Sequence, residues 1–453
     1  MNKDKLFYKL LLTIAFPIMV QFFITSSINL MDNFMIGKLG DEAVAALGIA
    51  NQYFFVFNLI VMGICSGCNV LISQFWGNKD IRNIKKILGI SIIGGLIMSL
   101  IFLGVAQGFT EDIIKIFNNN SIVINLGEDY LAIVSISYIF VSISLAYGIA
   151  SRGVQQAFLP MLCSAAALVV NIILNYILIF GHFNMPALGV KGAAIATLIA
   201  RIVEMILMLS FIYAKKHVLS ANFKDMFSFN FDFLKKTIAV VNPVVINELC
   251  WGLGMVIYSI IYGNMGTKSI AAVQINMSVQ NMFLVILFAI SNAACVMVGN
   301  EVGRNDFEIA KYYSNKLIKI SLLLSIAMGA LLALSAQFIL SFYNISNEVY
   351  NSTWYMLIIT ALILPIRFIN VLLIVGILRG GGDTSYVLKV ELITMWLVGV
   401  PLCLFGALVL KLEVYQVFLL VTGEEMIKCV VSVMRYRSGK WMRKLIGDMQ
   451  PSS

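Results

Sequence analysis

Charge is what this sequence has least of. Only 12% of its 453 residues are Asp, Glu, Lys or Arg, where a soluble globular protein carries about 25%, and that shortage excludes a soluble enzyme. Histidine is scarcer still: His182 and His217 are the only two. Too few are present for the HExxH or serine–histidine chemistry that a membrane-embedded hydrolase would need. The seven cysteines are odd in number and all lie in apolar segments, so no disulfide framework is implied. Cys65 and Cys68 do form a CxxC, but no second pair or histidine stands nearby to complete a zinc tetrahedron. Small-residue helix packing is the reading of Gly63-Ile-Cys-Ser-Gly-Cys68. The glycine run Arg379-Gly-Gly-Gly-Asp383 follows an apolar helix and lacks the Lys-Ser/Thr of a phosphate loop. Neither a nucleotide nor a nucleic acid is expected as partner, because the positive residues are scattered between apolar runs and form no aromatic-interleaved basic patch.

What is abundant is apolar sequence, at 60% of the chain. A bilayer-spanning helix needs about 20 such residues, so the composition allows roughly a dozen. Apolar runs of spanning length predict twelve helices, at 10–34, 48–73, 87–108, 126–150, 160–182, 188–213, 237–262, 270–298, 317–340, 354–378, 386–410 and 414–434. Lys3, Lys5 and Lys9 ahead of Leu10–Val20 imitate a signal peptide, but no small-x-small cleavage site follows, and the segment reads as a retained first span. With the N-terminus inside and the lysines at span ends counted with the adjoining loops, 24 of the 32 Lys and Arg fall on the cytoplasmic side and five on the outer side. That positive-inside bias puts both termini in the cytoplasm and the chain in the plasma membrane as a multi-pass protein, with the bilayer as its standing partner.

The chain repeats itself. Pro17 recurs as Pro243, 226 residues on, and the same offset carries Gly37-Lys-Leu-Gly40 onto Gly263-Asn-Met-Gly266 and Gly77-Asn-Lys-Asp80 onto Gly303-Arg-Asn-Asp306. Arg152-Gly153 matches Arg379-Gly380 at 227. One near-constant spacing at four landmarks marks a tandem duplication of a six-helix unit. The expected fold is therefore all-α and integral to the membrane, twelve transmembrane helices in two pseudo-symmetric six-helix lobes: 1–213, a cytoplasmic linker 214–236, 237–434, and a basic cytoplasmic tail 435–453. Parallel repeats of this kind rock to expose a midplane site to each side in turn. Pro17 and Pro243 each remove a backbone donor inside the first helix of a lobe and are candidate hinges, with a static kink as the alternative.

At these landmarks the sequence resembles the multidrug and toxic compound extrusion (MATE) family. The resembling pieces are Met31-Asp32-Asn-Phe-Met-Ile-Gly37, Gln74-Phe-Trp-Gly77-Asn-Lys-Asp80, Arg152-Gly153-Val-Gln-Gln-Ala-Phe-Leu-Pro160, Asn171-Ile-Ile-Leu-Asn175, Gly189-Val-Lys-Gly192 and Leu378-Arg-Gly-Gly-Gly-Asp-Thr384. They fall in both halves and span nearly the whole chain. The resemblance implies export of small organic, often cationic, compounds in exchange for inward Na⁺ or H⁺, with no other cofactor, by a monomer.

Asp32 is the only carboxylate within the first span, and an ionisable residue there belongs by default to an ion or substrate pathway; an interfacial position is the alternative. Asn171 and Asn175 are four apart and share a helix face. In the family pattern Thr197 joins them, so the three are candidates for a cage around Asp32, or for interhelical glue. Some family members carry a second aspartate where Asn175 stands, so a two-carboxylate relay is in doubt. In the second lobe Glu248 is the deep acid of the seventh span, and Arg367 and Asn370 are the polar residues of the tenth. Glu248 either binds a cation or neutralises Arg367. Gln274, Gln280 and Asn281 are further candidates for substrate contact, or pack by hydrogen bonds. Arg201 with Glu204 and Glu424 with Lys428 sit at spacings that pair on a helix and read as structural. A flippase for lipid-linked precursors is the alternative function, and it would call for a cationic cleft to hold phosphate.

Overall fold

Hydrocarbon offers no partner for a backbone N–H or C=O, so apolar segments of this length must close their hydrogen bonds internally, as helices. The computed structural model describes residues 3–449, which are mostly helical with no strand among them. Residues 1–2 of the predicted first lobe and 450–453 of the predicted tail lie outside the described residues.

The long helices are α1 (Lys3–Gly37), α2 (Asp41–Gly77), α3 (Ile81–Gly108), α4 (Ser121–Val134), α5 (Ser137–Gly153), α6 (Phe158–Phe180), α7 (Gly189–Ala214), α8 (Phe231–Asn264), α9 (Thr267–Gly303), α10 (Phe307–Leu340), α11 (Asn347–Leu378), α12 (Thr384–Val409) and α13 (Val414–Arg437). Ten are long and apolar enough to cross a membrane, or eleven when α4 and α5, bent by 48° at their junction, count as one span. The remaining predicted span, 414–434, is α13; Glu424, Glu425 and Lys428 sit in its middle and dilute its apolar run. Each of the twelve predicted spans therefore falls on a described helix or on the bent pair. Apolar side chains such as Leu334, Leu362 and Leu397 are at least 70% exposed, as side chains turned to lipid must be.

The chain folds as two compact units: Leu12–Val245, and Met1–Leu11 with Ile246–Ser453. Within the first unit Gly63 and Gly67 of α2 lie against the backbone of Val245 and Val241 of α8, the close approach that small residues permit. Cys65 and Cys68 are buried beside them, 2% and 0% exposed, as packing residues. The linker's single-turn helix Phe223–Met226 is tied to α3 by Lys85 with Asp225 at 3.2 Å.

In the second unit Phe7 at the start of α1 packs on Tyr313 of α10, ring centroids 5.4 Å apart, and Asp4 is bonded to Tyr312 and Lys316. Three stretches of this unit wind as wider π-turns: Leu372–Leu378, Leu392–Gly399 and Phe405–Val409. After α13 the chain folds back, and Trp441, 1% exposed, lies against Gly381 and donates to the Tyr436 carbonyl at 3.0 Å. Arg443 N–H donates to the Gly381 carbonyl at 2.8 Å, and both Arg435 and Arg443 pair with Asp383.

The duplication is visible in the backbone. Gly40 and Gly266 both start a helix at φ 118°, a value closed to residues with a Cβ. Lys79 and Asn305 both take a left-handed φ, 59° and 65°, just before Asp80 and Asp306, whose carboxylates accept the backbone N–H three residues on, from Asn83 and Ile309. Gly153 faces Asn69, and Gly380 faces Cys295, the residue 226 on from Asn69.

A Cβ at Gly153 would overlap the Asn69 side chain and reach within 2.8 Å of Ile72. Gly153→Val should therefore destabilise the first lobe by about 1–3 kcal/mol through overpacking, read as an earlier thermal transition of the purified protein. An unchanged transition would contradict the packing described here.

Candidate functional site: a buried carboxylate cage

Asp32 is 7% exposed, and its Oδ1 accepts from the Asn175 amide at 2.5 Å. The same amide nitrogen donates to Asn171 Oδ1 at 3.2 Å, and Asn171 donates to Thr197 Oγ1 at 3.3 Å. The four residues singled out by spacing and resemblance are thus one hydrogen-bonded chain across α1, α6 and α7. The structure adds Tyr130 of α4, 3% exposed, buried beside Thr197 and Asp32. No sequence spacing singles out Tyr130, because it is one of three tyrosines in the fourth span, with Tyr138 and Tyr147. Asp32 makes no salt bridge among the described residues, although Arg201 acts on it at longer range. Asn175 Oδ1 is buried without a hydrogen-bond partner. A buried carboxylate beside an unsatisfied amide oxygen is an environment that a cation or a proton would complete.

Beside the cage runs a second network. Gln21 accepts from Arg152 at 2.6 Å and donates to Ser164 at 3.0 Å; Ser164 donates to Glu204 at 2.7 Å, and Glu204 pairs with Arg201 at 2.9 Å. These side chains, with Asn51, Asn58 and Phe54 of α2, line a cavity of about 430 Å³ inside the first lobe. The predicted Arg201–Glu204 pair is present, and it forms part of the cavity wall. Two arginines and one glutamate give that wall a net positive charge.

The second lobe repeats the first half of this arrangement. Arg379 donates to Asn247 at 2.9 Å, and Asn247 lies 226 residues after Gln21 as Arg379 lies 227 after Arg152. The next residue differs: Arg152 stands over the Phe22 ring at 5.9 Å, whereas Arg379 forms a 2.8 Å salt bridge with Glu248. Of the two readings of Glu248, neutralisation of Arg367 is not what the structure has, since its partner is Arg379. Arg367 pairs with Glu425 of α13 at 3.4 Å, and Asn370 donates to the same carboxylate at 2.7 Å. Gln274 and Asn281 are exposed and Gln280 half-buried; the buried polar residue beside them on α9 is Asn276, which accepts from Thr360 at 3.1 Å. Pro17 and Pro243 sit inside unbroken helices.

The MatE family model matches the chain twice, over residues 17–177 and 243–405, one match for each copy of the repeat. The chain belongs to the MATE family. Among similar proteins of Bacillus subtilis (strain 168) are the uncharacterized transporter YisQ, 22% identical over 96% of this chain and 95% of its own, and the probable multidrug resistance protein YoeA, 24% identical over 89% and 87%. The probable multidrug resistance protein NorM of Thermotoga maritima is 21% identical over 97% and 94%. A crystal structure of MATE in the bent conformation superposes with a TM-score of 0.87 at 18% identity, covering 97% of this chain and 98% of that one. A MOP superfamily transporter from Pyrococcus furiosus superposes at 0.85 with 19% identity, covering 95% of each. MATE proteins are membrane transporters of small organic substrates and not enzymes.

Within this MATE chain the second-lobe acids are more numerous than the sequence reading allowed. Glu391 of α12, 5% exposed, joins Glu424 on Lys428, at 3.1 and 2.8 Å. The register of a helix shifts by about 100° per residue, which is why the partner of Glu248 could not be chosen between two arginines by counting alone.

Glu248→Gln leaves the buried guanidinium of Arg379 without its countercharge and should cost about 3–5 kcal/mol, read by thermal denaturation in detergent. Adding Arg379→Met should recover much of that loss. Adding Arg367→Met should not, because the two share no partner and their effects should sum. Recovery by the Arg367 substitution would restore the rejected pairing.

Proposed function

We propose that the protein is a secondary active exporter in which inward movement of Na⁺ or H⁺ through the Asp32 cage drives outward movement of an organic compound from the first-lobe cavity. The carrying observation is Asp32 itself: a buried carboxylate whose one hydrogen-bond donor among the described residues is a neutral amide. Such a group holds a cation or a proton when closed to water and releases it when opened. The multidrug resistance names of the relatives support organic compounds as the cargo. The 24 to 5 distribution of Lys and Arg supports a plasma-membrane placement with both ends cytoplasmic. Duplicate six-helix lobes in one chain give a monomer both halves of an alternating-access machine, with Pro17 and Pro243 as the bendable points.

One observation favours a second reading. Arg152 lines the cavity, is 7% exposed and has no carboxylate partner among the described residues, and a guanidinium placed so suits a phosphate or carboxylate. Flipping of a lipid-linked phosphate is the function it would serve. Glu204 and the nearby Asp32 weigh against a cavity built for that polyanion alone.

Proteoliposomes loaded under separately imposed Na⁺ and H⁺ gradients decide between these readings. Gradient-driven movement of a fluorescent organic compound is expected for the native protein. Asp32→Asn, which keeps the shape and removes the charge, should reduce it to background while leaving the protein inserted and folded. Coupled transport that survives in a well-folded Asp32→Asn protein would refute the assignment, and movement of a lipid-linked phosphate without any ion gradient would favour the alternative.

A further inference from the structure

The second lobe encloses a cluster that the proposed transport cycle does not use. Lys428 of α13 lies between Glu391 at 3.1 Å and Glu424 at 2.8 Å, and Glu424 also accepts from the Tyr258 hydroxyl at 2.7 Å. Glu425, one residue on, is held by Arg367 and Asn370. Glu391, Glu424, Lys428 and Tyr258 are each no more than 6% exposed. All of them lie within spans.

The charges do not balance. Glu391, Glu424 and Glu425 face two bases, Lys428 and Arg367, so full ionisation would leave one excess negative charge in hydrocarbon, which is costly. Tyr258, Tyr262, Cys250, Cys403 and Cys429 also stand near these charges, and at neutral pH phenols and thiols are uncharged. None of them supplies the missing positive charge. Arg367 is committed to Glu425, and Glu424 has two donors. Glu391 has only a share of Lys428, its one donor among the described residues.

The backbone marks the same place. Glu391 is the last residue before the π-turns of Leu392–Gly399, and Asn370 stands just ahead of those of Leu372–Leu378. Such turns interrupt a helix at a cost and are frequent at functional sites. The π-turns of Leu392–Gly399 end at Gly399, where any Cβ would overlap the Tyr258 hydroxyl and the Glu424 carboxylate. Asn370, 1% exposed, keeps its side-chain oxygen without a donor. The second lobe thus gives up regular helix, and admits only glycine at one position, to hold this cluster together.

We infer that Glu391, Lys428 and Glu424 form a proton-exchange site of the second lobe, separate from Asp32, at which the Glu391 carboxylate takes up one proton. The proton comes from hydronium of the aqueous phase, so one O–H bond forms on Glu391 as one breaks in hydronium and a water is left behind. Lys428 keeps its proton and passes from a shared contact to Glu424 alone, so protonation loosens α12 from α13. A proton fits better than Na⁺, because a metal cation at this point would sit against the Lys428 ammonium. The inference does not rest on the role given to Asp32.

The test uses the full-length protein in phospholipid vesicles. Dicyclohexylcarbodiimide, an apolar reagent that adds to protonated buried carboxyl groups, should label Glu391, more at mildly acidic than at mildly alkaline pH and without protection by Na⁺, as mapped by mass spectrometry. Acid-minus-base infrared difference spectra should show a protonated-carboxyl band that is lost in Glu391→Gln, returns shifted in Glu391→Asp and persists in Asp32→Asn. Labelling of the native protein needs no variant and stands even if Glu391→Gln does not fold. Absence of an adduct at both Glu391 and Glu424, protection by Na⁺, or a band that survives Glu391→Gln would overturn the proton site. A band lost only in Asp32→Asn would overturn it while leaving the proposed export cycle intact.

Discussion

A charged side chain in hydrocarbon has no water to fall back on, so each one in the spans must find its counter-group within the protein. Most of the polar architecture follows from that constraint. Arg201 is answered by Glu204, Arg379 by Glu248, Arg367 by Glu425, and Lys428 by two glutamates. Arg152 is answered by a neutral amide and an aromatic face. Asp32 is answered, among the described residues, by an amide alone. The groups that stand without full compensation are the ones able to respond to an ion or a ligand, and the fully compensated ones fasten helices together.

The two lobes keep a common backbone and have diverged in the side chains that set charge. Gly40 and Gly266, Asp80 and Asp306, and the amide–arginine pairs Gln21–Arg152 and Asn247–Arg379 persist as repeated structure. Around them Phe22 has its counterpart in Glu248, and Asp32 in Tyr258, at the same 226-residue offset. The first lobe thus has an acid where the second has a phenol, and the second lobe gathers its acids on α12 and α13 instead. A duplication that began with two equivalent halves has become a protein whose halves carry different electrostatic tasks.

The fold was legible because its signals are redundant: a span is announced by about 20 apolar residues, and the repeat by several landmarks at one offset. The cage was legible because Asp32, Asn171, Asn175 and Thr197 combine a rare charge, a same-face spacing and a family pattern. Pairings between distant helices were not. Glu248 could meet Arg367 or Arg379 depending on rotation of three helices, and nothing in local spacing encodes that rotation. The π-turns of α11 and α12 were equally hidden, since no residue type enforces them, and with them went the inward turn of Glu391. Charges in α13 were read as a local Glu424–Lys428 pair, which is correct as far as it goes, but a pairwise rule cannot reveal a third partner from another helix.

The fold-back of the chain after α13 bears on how the protein can be handled. Trp441 fills the space above Gly381, and Arg435 and Arg443 hold Asp383 from the same segment, so the basic stretch that reads as a solvated tail is a wall of the second lobe as far as Met449. Trimming the polypeptide near Ser438, as one trims a loose end, would strip Trp441 from Gly381 and Leu445 from Gly382, and leave a buried aspartate short of one of its two arginines. A fluorescent or affinity fusion belongs beyond Met449, where it lengthens the chain without competing for that seat.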